Sequence, residues 1–232
     1  MFDLRSAASD RQGSLSNQMR SRRFQYFEQL VDHLPRPLHI IDIGGTAEFW
    51  EQRGWAGRDD AEITAVNLKA APQRFPNIQV VKGDATNLSE YSEGQFDVAF
   101  SNSVIEHVFT KSKQFSMASE VQRVAKAFWV QTPNFWFPME PHFHVPGWQW
   151  MPRGVRVAIL RKRRCGWRGP CPDLEQARAA VDEVRLMTRS ELRRAFPDAG
   201  IWTERLYGLP KSFVAYDGFG KSIKDLIEAP SP

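Results

Sequence analysis

The sequence predicts an α/β fold, a mostly parallel sheet sandwiched between helices. Three observations carry that expectation. Short apolar runs recur at 38–43, 62–68, 76–85, 95–103 and 127–134. Segments with apolar residues at helical spacing stand among them, and such alternation implies parallel strands joined by right-handed crossovers. Four of the runs end in glycine or small polar residues, and open sheets of this kind bind ligands at the carboxyl ends of their strands.

Taken in order, residues 1–17 are polar and expected to be loose. Phe24, Phe27, Leu30, Val31 and Leu34 then recur at helical spacing from Gln18 to Leu34, and Pro35 and Pro37 end that helix. "LHIIDI" (38–43) is a nearly all-apolar strand of the kind buried on both faces. Residues 47–54 open a helix with Phe49 and Trp50 beneath it. "EITAVNL" (62–68), "PNIQVVKGDA" (76–85) and "QFDVAFSNS" (95–103) supply the next three strands. A helix over 111–125 turns Phe115, Ala118, Val121 and Val124 or Ala125 inward, and "AFWVQTPN" (127–134) is the fifth strand. Residues 135–172, rich in proline, tryptophan and arginine, break the rhythm and read as an insertion over the sheet's ligand edge. "TRSELRRAFP" (188–197) is a helix with Thr188 or Ser190 near its cap and Glu191 in its first turn. Two β segments, "GIWTERLYGL" and "KSFVAYDGF", are joined by Leu209-Pro210 and must run antiparallel.

Composition narrows the class. The 232 residues fit one large domain or two small ones, and 42% hydrophobic content supports a real core. The expected organisation is one domain over 1–232 with 135–172 as a lid. No apolar run approaches the ~20 residues that span a bilayer. "MFDLRSAASDRQGS" lacks the apolar core of a signal peptide, so a cytoplasmic location is expected. Cys165 and Cys171 are too few for a disulfide framework and lack a matching histidine cluster, so they read as reduced thiols. The net charge is +4, and Arg153, Arg156, Arg161, Lys162, Arg163, Arg164 and Arg168 cluster without an acidic residue among them. Such a cluster suits phosphates or an anionic membrane, or is simply a solvated loop.

The glycine turn decides between nucleotides. A dinucleotide site wants G-x-G-x-x-G with an acidic residue ending the second strand. Here Thr46 and Phe49 occupy the third and sixth positions and Asn67 stands at the strand end. That pattern fails twice.

The ordered strand ends instead resemble the class I S-adenosylmethionine-dependent methyltransferases. "DIGGTAEFW" is similar to a reduced form of the family's first motif, "GDA" (83–85) to the end of its third strand, and "FDVAFSNSVIEHV" (96–108) to its fourth. "QTPN" (131–134) is similar to the end of its fifth, and the closing antiparallel pair is also characteristic. The resemblance covers roughly 20–134 and 186–217. It implies a Rossmann-like sandwich whose sheet has seven strands, the last antiparallel, with helices on both faces. It also implies S-adenosylmethionine as cofactor. Asp42, Gly44, Gly45 and Thr46 would then meet the methionine arm, Asn67 with Leu68 the ribose, and Asp84 with Ala85 the adenine. Asn102 and Ser103 would line the methionine side. Thr46 and Glu48 depart from the family's glycines, and Asn67 from its acidic residue, so the turn takes another path and holds the cofactor more weakly or not at all.

An acceptor hydroxyl calls for a general base, and His suits neutral pH. His107, Glu140 and His142 are the candidates, with His144 beside them. "VIEHV" equally reads as a simple helix start. Glu140, His142 and His144 could ligate a metal, but no fourth ligand is evident and no metal is expected. Phe135, Trp136, Phe137, Phe143, Trp148 and Trp150 either wall an apolar acceptor pocket or only pack the insertion down. The expected activity is methylation of a small-molecule or lipid-like acceptor, at oxygen, with peripheral membrane contact through the basic insertion. The alternative is a degenerate relative that binds a membrane or protein partner. Nucleic acid is not expected, since "SNSV" stands where an amino methylase would carry Asn-Pro-Pro-Tyr.

Overall fold

The structure is a computed structural model and describes residues 15–228. The first fourteen residues of the expected loose segment lie outside them. The chain divides into two compact units, Met1–Arg36 with Phe219–Pro232, and Pro37–Gly218.

The described part of the first unit holds α1 (Leu15–Val31) and α7 (Ile223–Glu228). Helix α1 begins and ends three residues earlier than its spacing predicts. Pro35 disfavours helical backbone at Leu34, which pulls the end back. Phe24 and Phe27 pack with ring centroids 5.5 Å apart, and His33 Nε2 lies 2.7 Å from the Phe219 carbonyl oxygen.

The second unit is built on one sheet. Its strands are β1 (Leu38–Ile43), β2 (Ala61–Asn67), β3 (Ala71–Phe75), β4 (Ile78–Lys82), β5 (Phe96–Asn102), β6 (Ala125–Pro133), β7 (Gly200–Leu206) and β8 (Leu209–Asp217). They lie in the order β3-β4-β2-β1-β5-β6-β8-β7. The pairs β4–β2, β2–β1, β1–β5 and β5–β6 are parallel, whereas β3–β4, β6–β8 and β8–β7 are antiparallel.

The sheet has eight strands and not seven. The extra edge strand, β3, has four exposed residues and a half-buried fifth. It shows no apolar alternation, and its Pro72 is tolerated because an edge strand can spare a donor. A second correction concerns the last hairpin. Leu209 and Pro210 belong to β8, and the turn is Tyr207-Gly208, both at positive φ (50° and 79°). Two such residues make the tight turn whose twist matches paired strands.

Helices flank this sheet. Helix α3 (Lys111–Val124) buries Met117, Ala118, Val121 and Val124, and α6 (Arg189–Ala195) buries Leu192 and Ala195. Both pack into the core formed by Ile41, Ile43, Ala99 and Val130. Full burial of a side chain of this kind contributes about 1.5–3 kcal/mol. Thr188 and Glu191 form a capping box at the start of α6, as the sequence predicts. Short α2 (Ala47–Glu51) follows the glycine turn, with Thr46 as its N-cap.

The insertion is more ordered than its composition suggests. It contains α4 (Arg153–Lys162), which packs against α5 (Leu174–Asp182). Phe143, Trp148, Val157, Leu160, Cys165, Ala177 and Val181 form a small core of their own there. Cys165 is buried, Cys171 is half-buried, and both are free thiols.

Candidate active site

Parallel pairing aligns the carboxyl ends of β4, β2, β1 and β5, and it brings the residues beyond them to one edge. Asp42 is buried in β1, and its Oδ2 accepts a 2.7 Å hydrogen bond from Trp50 Nε1 on α2. Burial pushes its carboxyl up to about 7, only partly offset by the Trp50 bond. Gly45 lies directly over this carboxylate, and a Cβ there would collide with it. Gly44, at φ 82°, faces the Val104 methyls in the same way. These two positions require glycine because no side chain fits them.

Thr46 Oγ1 accepts from Phe49 N at 3.4 Å and starts α2. Glu48, where a further glycine is expected, faces Arg74 Nη1 at 2.6 Å instead. The unforeseen β3 thus supplies the partner of a residue that departs from the family's pattern. Asn67 Nδ2 donates to the Gly45 carbonyl at 3.0 Å, and its Oδ1 accepts from Leu68 N at 2.8 Å. Leu68 itself is 74% exposed. Asp84 is exposed, and its Oδ1 accepts from Thr86 N (2.9 Å) and Thr86 Oγ1 (2.8 Å). Those bonds hold its carboxyl below the usual range. Ala85 beside it is half-buried at the core edge. Asn102 ends β5 half-buried. Ser103, at φ 59°, donates through Oγ to Gln131 Oε1 at 2.7 Å.

The second group comes together across a long stretch of sequence. After β6 the chain loops back so that Glu140, 1% exposed, accepts from His142 N (2.7 Å) and Phe143 N (2.6 Å). Its other oxygen lies 2.7 Å from His142 Nδ1. A carboxylate only accepts, so Nδ1 carries the proton and Nε2 is left as the basic nitrogen. Burial opposes protonation of His142, but the hydrogen bond and charge of Glu140, with the charge of Glu106, outweigh it and raise its pKa.

His107 stands edge-on to His142, centroids 4.8 Å apart. It lies in a single 3-10 turn, Ile105–His107, after β5. Burial, reinforced by the His142 charge, lowers its pKa to about 4, so it is neutral at physiological pH. Glu106 is fully buried. Thr132 Oγ1 donates to its Oε2 at 3.0 Å, while Oε1 has no partner. Burial lifts its carboxyl to about 7.

The structure therefore unites all three predicted candidates, His107, Glu140 and His142, and adds Glu106. Only its adjacency to His107 could have flagged Glu106, since burial of a carboxyl has no sequence signature. His144 is not in this group; it sits at φ 50° with its ring against Trp167. The ligand atoms of Glu106, His107 and His142 lie within 4.8 Å of one another, a different set from Glu140, His142 and His144. Of the aromatics expected to wall a pocket, Phe135, Phe143 and Trp148 line a cavity of about 280 Å³. Trp136 and Trp150 are instead 63% and 47% exposed.

The order of parallel strands, closed by an antiparallel hairpin, and the glycine turn at the β1 end define a class I methyltransferase sandwich. Residues 44–127 match the family described as "Methyltransferase domain". Over that segment the chain is similar to the family.

Two Mycobacterium tuberculosis proteins, the uncharacterized proteins Rv1509 (strain H37Rv) and MT1557 (strain CDC 1551), are each 40% identical over 55 residues. That match spans 24% of this chain and only 19% of each of them. The CurJ carbon methyltransferase shares the fold at TM-score 0.56 and 10% identity, over 92% of this chain and 58% of that one. The N-terminal domain of EvdMO1, crystallised in the presence of SAH and D-fucose, gives 0.50 and 15%, over 86% and 82%. A Rhodobacter sphaeroides chain provisionally described as a Zn-dependent alcohol dehydrogenase gives 0.53 and 11%, over 82% and 86%. Identities this low speak to the fold, and one fold hosts several chemistries.

Proposed function

We propose that this protein transfers a methyl group from S-adenosylmethionine to a small-molecule or lipid-like acceptor, at oxygen. The observation that carries this reading is the alignment of four successive strand ends: Asp84-Ala85, Asn67-Leu68, Gly44-Gly45 and Asn102-Ser103. The residues fit the cofactor. Leu68 offers an exposed apolar surface to an adenine face beside the polar Asn67. Thr86 fixes one oxygen of Asp84 and leaves the other to accept from an amino group. When bound, the cofactor supplies an electrophilic methyl on a sulfonium. The chain's own part is to position the acceptor and to take its proton at His142 Nε2, with Glu140 orienting the ring. Such a base contributes about 10²–10⁴-fold. The loop 135–172 acts as the lid that carries Glu140 and His142.

Calorimetric titration with S-adenosylhomocysteine tests the cofactor. Binding at micromolar to millimolar ligand is expected, and no heat at millimolar ligand refutes it.

A second reading is a binding module at an anionic membrane surface. It is favoured by exposed Trp136, Trp150 and Trp167 on the segment that carries exposed Arg161, Lys162, Arg163 and Arg164 at the end of α4. Among the described residues no helix is long and apolar enough to cross a membrane. Sedimentation with anionic liposomes, weakening as salt rises, is its test. Absence of association discards it.

A further inference from the structure

No metal is expected from Glu140, His142 and His144, but the tertiary structure brings a different set together. Glu106, His107 and His142 each present a ligand atom, and the three lie within 4.8 Å of one another. Zinc holds nitrogen and oxygen ligands at about 2.0–2.2 Å, so two of them facing across the ion stand up to about 4.4 Å apart. The set is therefore close to closed around an ion.

Glu106 is fully buried and forms no ion pair among the described residues. Thr132 Oγ1 holds its Oε2 at 3.0 Å, whereas Oε1 is closed to water and has no hydrogen-bond partner. A buried carboxylate is costly unless it is paired or coordinates a metal. A bare divalent cation is smaller than water, and the ligand atoms of a metal site are covered by the ion and by one another. The turn that carries the ligands is already pinned. Gln114 Nε2 donates to the Ile105 carbonyl at 3.0 Å, and Arg185 N donates to that of Glu106 at 2.8 Å.

Both rings have a carboxylate at Nδ1. His142 Nδ1 donates to Glu140 at 2.7 Å, which leaves Nε2 as the basic nitrogen. His107 Nδ1 faces Glu183 Oε1 at 3.8 Å, too long for a hydrogen bond but enough to favour the proton on that side. Glu183 is fixed in turn by Arg168 at 2.5 Å. A carboxylate behind one ring nitrogen is how metal-binding histidines are commonly oriented.

We propose that Glu106, His107 and His142 bind one divalent transition-metal ion, zinc by ligand type, with Glu140 and Glu183 behind the two rings. Two imidazoles and a carboxylate leave a coordination position open. That this position takes the acceptor's hydroxyl oxygen rests on the function proposed above. The ion occupies the His142 nitrogen that otherwise takes a proton, so the two modes exclude each other. The proton affinities given above hold where no ion is bound. With the ion in place, coordination acidifies the hydroxyl and its proton leaves to water. The oxygen then takes the methyl from sulfur, a C–O bond forming as the S–C bond breaks.

Zinc chloride titrated calorimetrically into the chelator-stripped full chain is the test. One ion per chain is expected, at micromolar concentration or below. Glu106→Gln, His107→Gln and His142→Gln are each expected to weaken binding about tenfold or more, and Glu140→Gln by about 10–100-fold. A chain carrying both His144→Gln and Cys171→Ser is expected to bind as the parent does. No binding at millimolar zinc, or affinity unchanged in the three ligand variants, overturns the proposal. Cobalt(II) in the parent chain needs no variant, so a misfolded mutant does not rescue it. Weak visible bands without a thiolate charge-transfer band are expected, and a thiolate band puts the ion on cysteine and overturns the site. S-adenosylhomocysteine titrated into zinc-free and zinc-loaded chain separates the two claims. Cofactor binding without zinc binding removes the ion and leaves His142 as the base; zinc binding without cofactor binding removes methyl transfer and leaves the metal site.

Discussion

Glu140 Oε1 stands 2.7 Å from His142 Nδ1, and Oε2 of the same carboxylate holds the backbone N–H groups of His142 and Phe143. One buried side chain therefore fixes the loop, the ring orientation and the tautomer. It also raises the His142 pKa against the pull of burial. A proton acceptor in this position works only above its own pKa, so turnover falls as pH drops through that value.

Removing the negative charge at Glu140 should lower the His142 pKa. Glu140→Gln is expected to move the titration of the His142 ring, followed by NMR, to lower pH. His142→Gln is expected to reduce turnover by about 10²–10⁴-fold with cofactor affinity unchanged. An unmoved titration in Glu140→Gln would break the assignment of these two roles.

Asp84 tests the cofactor edge. Its Oδ1 belongs to the Thr86 turn, and under the proposed function Oδ2 accepts from the adenine amino group. Asp84→Ala should weaken S-adenosylhomocysteine binding by about 1.5–3 kcal/mol, the range for a hydrogen bond to a charged group. Calorimetry on both proteins reads the difference directly. Unchanged affinity would place the adenine elsewhere.

Two buried carboxyls set a pH dependence of stability. Asp42 and Glu106 both titrate near 7 in the folded chain, against 3.8 and 4.5 ordinarily. Between the unfolded and folded values each binds a proton only when folded, so each loses stabilising effect as pH rises through that window. The slope is about 1.4 kcal/mol per pH unit per group. Asp84 and other carboxyls held low act in the opposite sense at acid pH. A difference measurement isolates the buried pair: from pH 5 to 7.5 the melting temperature of Asp42→Asn should fall less than that of the parent. Parallel curves would show that Asp42 is ionised throughout.

The glycines divide sharply by surroundings. Gly45 touches the Asp42 carboxylate, whereas Gly154, near the start of α4, has nothing within 4 Å of where a Cβ would stand. Gly45→Ala should destabilise by about 1–3 kcal/mol, as overpacking does. Gly154→Ala should be neutral or stabilise by up to about 1 kcal/mol, through helix propensity. Denaturant midpoints check both. A harmless Gly45→Ala would mean that Asp42 moves aside easily.

Much of the fold was legible because its signals are local. The run at 38–43 is nearly all apolar, the run at 95–103 carries Phe96, Val98 and Phe100 on one face, and each breaks where its strand ends. The capping pair Thr188 and Glu191 sits at a fixed spacing that declares a helix start. Edge strand β3 was not legible, because exposed positions carry no alternation. Helix α4 was hidden for a related reason: its arginines mask a short apolar stripe at Val157 and Leu160.

The sequence by itself determined the strand rhythm, the glycine turn and the types of residue available for chemistry. Only the tertiary structure decided which of those residues meet. It turned Asp42 toward Trp50, set His107 against His142 and gave Glu48 to Arg74. Periodicity and turn chemistry act over a few residues and are written in order along the chain. Contacts between distant segments are settled by packing and by the cost of burying charge, which no short stretch of sequence records.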